Sequence, residues 1–78
     1  MRYYLSFATE RRPKPLVQTF ERAEKAEEYL IAFAREYAEE AGDTGIVDQI
    51  QAAGVDVNII MAIMLFEYQV TIVYWGEE

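Results

Sequence analysis

Residues 58–67 read NIIMAIMLFE, in which eight consecutive apolar residues, 59–66, stand between one Asn and one Glu. Met, Ala and Leu favour a helix, whereas Ile favours a strand. We predict a short helix capped by Asn58, with a strand as the alternative. In either case the segment is apolar on every side and therefore needs cover on every side.

The chain offers little material for that cover. Its 78 residues make one domain, residues 1–78, and a core of this size supplies only a few kcal/mol of net stability. There is no Cys and no His, which excludes a disulfide and makes an ordinary zinc site untenable. We therefore predict a homodimer, with part of the apolar run or the outer sheet face around Tyr4 and Trp75 at the interface. The alternative is that the helices and sheet of one chain enclose the run fully.

Alternating side chains predict three strands. Residues 2–9 and 16–20 form an N-terminal hairpin, because apolar and polar side chains alternate in the first segment and a short apolar segment follows the loop. The loop contains Pro13 and Pro15, which cannot donate to a sheet ladder. The sequence YQVTIVYW, residues 68–75, is rich in β-branched and aromatic residues and predicts the third strand.

Helical spacing predicts two further elements. From about Glu21 an apolar stripe recurs at every third or fourth position and ends before Gly42. Asp43 is a candidate cap for a second helix over residues 44–53, which Gly54 closes. Together these elements predict an α+β fold: a small antiparallel or mixed three-stranded sheet, made of the N-terminal hairpin and the C-terminal strand, with two or three helices packed on one face.

The inventory of reactive residues is small. Without His and Cys the usual pairs of nucleophile and base are excluded. The four glycines are isolated from one another, so no glycine-rich phosphate loop is present. We therefore predict no enzymatic activity, no cofactor and no metal site.

The charge is strongly acidic and unevenly distributed. The net charge is −7, and no basic residue follows Arg35. Such a surface repels nucleic acid and anionic membranes and favours a protein partner with a basic surface, so we expect no direct nucleic-acid or membrane contact. The apolar run is too short to cross a bilayer, and the N-terminal stretch lacks the pattern of a signal peptide. We expect a cytoplasmic location.

Five residues are predicted to bind a partner. Glu36, Glu39 and Glu40 lie near the C-terminus of the first predicted helix, where negative charge opposes the helix dipole. A sequence shaped for stability alone would place Lys there, so these acids are predicted to serve an external surface; general acidity for solubility is the alternative. Tyr4 and Trp75 are expected on the outer sheet face and are of the types enriched at binding hot spots.

In its size, acidity and lack of catalytic residues, the chain resembles the inhibitory proteins that phages use against bacterial defence systems, CRISPR systems among them. The resemblance is one of composition. Several of those proteins bind nucleic-acid-handling enzymes by presenting carboxylates where phosphates would lie. The resemblance implies a non-enzymatic acidic binding protein that inhibits a basic or nucleic-acid-handling partner. The alternative function is a structural or assembly subunit that self-associates through apolar surfaces.

Overall fold

The structure, a computed structural model, describes residues 1–77. Its elements in chain order are β1 (Arg2–Ala8), β2 (Leu16–Phe20), α1 (Ala23–Glu40), α2 (Thr44–Ala53), α3 (Val57–Tyr68) and β3 (Thr71–Glu77). The strands form one sheet in the order β2-β1-β3, with both neighbouring pairs antiparallel. The predicted α+β fold, with a sheet made of the N-terminal hairpin and the C-terminal strand, is confirmed.

The sheet has one covered face. Leu5 and Phe7 of β1 and Ile72 of β3 point toward the helices and are buried. Because side chains alternate along a strand, the residues between them point to the other face. No helix packs on that outer face within the described part of the chain, and it exposes Val17 and Val73 to about half of their area (51% and 48%).

Helix α1 begins at Ala23, two residues after the predicted start near Glu21, because residues 21 and 22 form a bend between β2 and the helix. Its four fully buried positions follow a spacing of four residues: Ala26, Leu30, Ala34 and Ala38. Three of the four are Ala, whose small side chain lets a helix lie close to its neighbours. The helix ends at Glu40, and Gly42, the predicted stop signal, follows the C-cap residue with φ +74°, a conformation that suits glycine.

The prediction of a helix over the apolar run is confirmed, but its ends differ from those predicted. Asp56, not Asn58, occupies the N-cap position, and its carboxylate accepts a hydrogen bond of 3.4 Å from the Ile59 backbone nitrogen. At the other end the helix continues through Tyr68, and Gln69 takes the left-handed conformation (φ 54°). The prediction that the third strand begins at residue 68 is therefore wrong, and β3 begins at Thr71.

Only one side of α3 is covered. Ile60 and Met64 are fully buried, whereas Ile59, Leu65 and Phe66 are 48%, 51% and 82% exposed. The alternative in which a single chain encloses the run on all sides is therefore wrong. The sheet, α1 and α2 pack against the same side of this helix, and the described chain contains no further element to cover the other side.

The core lies between the sheet and the three helices. Helix α2 contributes Ile46 and Ile50, which meet residues of α1 and α3. All buried residues within the described part of the chain are apolar. Among residues 1–77, no helix is both long and apolar enough to cross a membrane.

Candidate functional site

The three acids at the end of α1 are all exposed, as the helical spacing predicts. Arg35 Nε lies 4.0 Å from Glu39 Oε1, and both side chains are about half exposed. Within residues 1–77, Glu36 and Glu40 form no salt bridge, and the last turn contains no basic residue. Two of the three predicted carboxylates are therefore exposed without forming an ion pair within residues 1–77.

The exposed acidic residues on the outer side of α1 lie in two groups, one toward each end of the helix. Five exposed glutamates form what we call the acidic face: Glu24, Glu28, Glu36, Glu39 and Glu40. The two basic residues on this side are Lys25 and Arg35, and each already lies beside a Glu; Lys25 Nζ is 3.6 Å from Glu28 Oε2. Five negative and two positive charges leave the face with a net charge of −3.

A cleft of about 690 Å³ adjoins the C-terminal end of the acidic face. It lies between the β1–β2 loop, the end of α1 and the end of α3, and is lined by Thr9, Glu10, Arg11, Tyr37, Glu40, Ala41 and Tyr68. Sequence reasoning missed this cleft, because its lining comes from three segments that are far apart in the chain. Arg11, from the β1–β2 loop, and Glu40 both line the cleft, so a positive charge of the loop lies near the acidic end of α1.

Tyr68 connects α3 to the start of α2. Its hydroxyl donates a hydrogen bond of 2.7 Å to Asp43 Oδ2, and its ring centroid lies 5.0 Å from that of Tyr37. Burial, supported by the hydrogen bond to Asp43, raises the pKa of the Tyr68 hydroxyl to about 12. Asp43 does occupy the N-cap position of α2, but its side chain makes no capping bond; its Oδ2 atom accepts the Tyr68 hydrogen bond.

Replacing Tyr68 with Phe should flatten the alkaline decline in stability. A raised pKa means that the folded state keeps the Tyr68 proton to a higher pH than the unfolded chain does. The contribution of this hydroxyl to the free energy of unfolding is therefore complete below about pH 10 and is lost as the pH rises toward 12. Urea unfolding between pH 9 and 12 (spanning the ordinary tyrosine pKa of about 10) measures the slope. The pKa of Tyr74 is also raised, by burial and by Glu27. The part of the alkaline decline in stability that Tyr74 causes should therefore remain in the variant. An unchanged slope in the variant would contradict the assignment to Tyr68.

The aromatic pair predicted near the termini is brought together. Tyr4 of β1 and Trp75 of β3 are direct cross-strand neighbours, and their rings stack with centroids 5.2 Å apart and planes 16° apart. Tyr4 is half-buried and Trp75 is 40% exposed. The sheet separates this pair from α1, so the five predicted residues form two separate surfaces rather than one site.

The described residues show no arrangement for metal binding, since no three carboxylates between residues 1 and 77 converge on a point where they could hold an ion. The polar groups that the fold brings closest are the Tyr68 hydroxyl and the Asp43 carboxylate. That hydrogen bond holds the start of α2 against the end of α3, and its chemistry is structural.

Comparisons with known proteins give no family for this chain. No protein-family model matches it, and neither a curated protein nor a solved structure matches it significantly. The functional interpretation therefore rests on the surfaces themselves: the acidic face of α1, the stacked pair on the outer sheet and the uncovered side of α3.

Proposed function

We propose that the protein is a non-enzymatic binding protein whose acidic face engages a partner with a basic surface. The observation that supports this most is the exposure of Glu36 and Glu40 at the C-terminal end of α1, where neither forms an ion pair within residues 1–77. Each such charge opposes the helix dipole at a cost of about 0.3–1 kcal/mol. Their position is thus unfavourable for stability, and binding to an external partner would explain why acidic residues occupy it.

The chemistry of the face defines the class of partner. Exposed carboxylates form strong charge-assisted hydrogen bonds with Lys and, in bidentate geometry, with Arg. A protein that handles nucleic acid presents such residues to phosphates. Carboxylates bound to the same residues would exclude the nucleic acid, so we propose that the protein acts as an inhibitor of a nucleic-acid-handling partner, in the cytoplasm.

Charge also governs the encounter. A net charge of −7 accelerates association with a basic surface and opposes contact with nucleic acid or an anionic membrane. We therefore propose that the partner is a protein and that no nucleic acid or lipid binds directly.

A triple variant tests the proposal. Replacing Glu36, Glu39 and Glu40 together with Gln should preserve the fold and weaken partner binding roughly 3- to 150-fold at low salt, if each exposed ion pair contributes about 0.2–1 kcal/mol. The partner is first captured from a cell lysate on the unmodified protein and identified by mass spectrometry. Its affinity for the variant is then measured by titration calorimetry.

The matched control removes the same charge elsewhere. Replacing Glu21, Glu67 and Glu77 with Gln also removes three negative charges and therefore gives the same net charge. These three acids are exposed and lie outside the acidic face. The control should bind within about twofold of the unmodified protein, since general long-range attraction is screened beyond roughly 10 Å at ordinary salt. Equal weakening by both triple variants would show that only net charge matters and would remove the role of the acidic face.

A second function, that of a structural or assembly subunit, is favoured by the exposed apolar side chains of α3. It involves none of the residues of the acidic face. The two functions are therefore compatible, and they predict opposite responses to salt.

A further inference from the structure

The uncovered side of α3 carries a continuous row of apolar side chains. We call it the α3 stripe and define it as Val55, Ile59, Ala62, Leu65 and Phe66. All five are exposed, and the exposed fraction reaches 80% for Val55 and 82% for Phe66. At about 100° per residue, the four helical members fall on one side of the helix, and Val55 lies two residues before its first residue, Val57. This is the largest concentration of exposed large apolar side chains on any one helix of the described chain.

The stripe is free of charge. Asn58 lies beside it, and two exposed acids, Asp56 and Glu67, flank its two ends. Both lie more than about 100° around the helix axis from Ala62, although the Asp56 carboxylate accepts a hydrogen bond from the Ile59 backbone nitrogen. Charged residues make up 27% of the chain, so the uncharged middle of the stripe, from residue 57 to residue 66, is unusual for this protein. A partner that brought a charge to it would have to desolvate that charge without compensation, so the complementary surface is itself uncharged and apolar.

A second copy of the chain presents such a surface. The stripe is also nearly symmetric about its centre, because Ile59 and Leu65 lie three residues to either side of Ala62. In an antiparallel pair of helices, Ile59 of one copy would meet Leu65 and Phe66 of the other. The small side chain of Ala62 at the crossing point lets the two helices approach closely. We propose that the α3 stripe is the interface of a two-fold symmetric homodimer in which the two α3 helices pack antiparallel and cross at Ala62.

The area of the stripe sets the strength of the dimer. Its four large side chains expose roughly 400–500 Å² per chain, given that a fully exposed aromatic offers about 150–250 Å². Two copies would then bury roughly 800–1,000 Å², below the 1,200–2,000 Å² or so of a standard stable interface. The dimer should accordingly be weak and reversible, as small interfaces of transient complexes are.

The outer face of the sheet is the alternative location for a homodimer interface. Tyr4 and Trp75 already cover each other by stacking, so each gains less from a partner than Phe66 does. The exposed valines on that face, Val17 and Val73, are about as exposed as Ile59 and Leu65, but the face presents no large apolar side chain as exposed as Phe66. The outer face of an antiparallel sheet is also commonly left to solvent, whereas an exposed Phe in the middle of an apolar helical row is not accounted for by the fold.

Sedimentation equilibrium of the full chain, from low to high micromolar concentration, tests the dimer. The average mass should rise from the monomer value of 9.1 kDa toward twice that value. Phe66→Glu should remain monomeric throughout, whereas Val73→Glu on the outer sheet face should dimerise like the unmodified protein. Circular dichroism checks that each variant is folded, and Leu65→Glu provides a second stripe variant. A monomer at every concentration would overturn the proposal, as would loss of dimerisation in Val73→Glu but not in the stripe variants.

A disulfide tests the crossing point. The chain has no Cys, so Ala62→Cys introduces a single thiol that meets its own copy at the two-fold axis. Under mild oxidation this variant should form covalent dimers at least about tenfold faster than Val73→Cys, because disulfide formation requires Cα atoms within roughly 7 Å. Equal rates would overturn the antiparallel crossing. Added salt should strengthen the dimer by screening the repulsion between two chains of −7. For the same reason the Gln variant of Glu36, Glu39 and Glu40 should dimerise at least as strongly as the unmodified protein, so this proposal can fail independently of the proposed function.

Discussion

Replacing Leu30 with Ala is expected to lower the free energy of unfolding by about 2–5 kcal/mol. Leu30 is fully buried at the centre of the α1 stripe, between Ala26 and Ala34. These flanking residues are too small to move into the space that the lost side chain leaves. A domain of this size has a total stability of roughly 4–12 kcal/mol, at about 0.05–0.15 kcal/mol per residue, so the variant should lose a large part of it.

Urea unfolding measures this loss, with Val55→Ala as the control. Val55 is 80% exposed, and its truncation should change the free energy of unfolding by less than about 0.5 kcal/mol. The midpoint for Leu30→Ala should fall while the dependence on urea concentration stays the same. A loss below about 1 kcal/mol would mean that α1 does not pack on the sheet as described.

The second large effect distinguishes the two sides of α3. Ile60→Glu places an unpaired carboxylate at a fully buried position, whereas Phe66→Glu places the same group at a position that is 82% exposed. The first should leave the chain largely unfolded at neutral pH, because an isolated buried charge costs more than a small domain can offset. The second should stay folded, with a stability within about 0.5 kcal/mol of the unmodified monomer.

Circular dichroism and urea unfolding at low micromolar concentration, where the dimer contributes little, measure both variants. The helix is the same and so is the introduced residue, so the two results differ only through the side of α3 that is substituted. A folded Ile60→Glu variant, or an unfolded Phe66→Glu variant, would show that the buried side has been assigned wrongly.

The periodicity of the sequence was sufficient for most of the fold. The spacing of four residues around Leu30 predicts both the helix and its buried side, and alternation predicts the inner positions of β1 such as Leu5 and Phe7. The same method has no information about α3, because a run in which every residue is apolar has no polar side to mark the surface. Its helical state followed from propensity, but its buried side depends on where the sheet and α1 lie.

The ends of α3 were less predictable for local reasons. Asp56 and Asn58 are both good caps, and the structure uses the one nearer to the turn at Gly54. At the other end, alternation continues backward from β3 into Tyr68, so the pattern predicts too long a strand. Gln69 in the left-handed conformation ends the helix, and glutamine is not a residue type that predicts a helix end of this kind.

The candidate site was predictable only in part. Exposure of Glu36, Glu39 and Glu40 follows from helical spacing, and the pairing of Tyr4 with Trp75 follows from placing β1 beside β3. The cleft and the bond between Tyr68 and Asp43 depend on how α1, α2 and α3 meet, which no local pattern encodes.

The most direct test of carboxylate-driven binding is the affinity of the captured partner for the unmodified protein as salt is raised. Because ions screen exposed charge pairs, the dissociation constant should increase steeply with salt concentration. The slope should become shallower in the variant in which Gln replaces Glu36, Glu39 and Glu40. A dissociation constant that stays constant or decreases with added salt would contradict a role for the acidic face and would indicate an apolar interface instead.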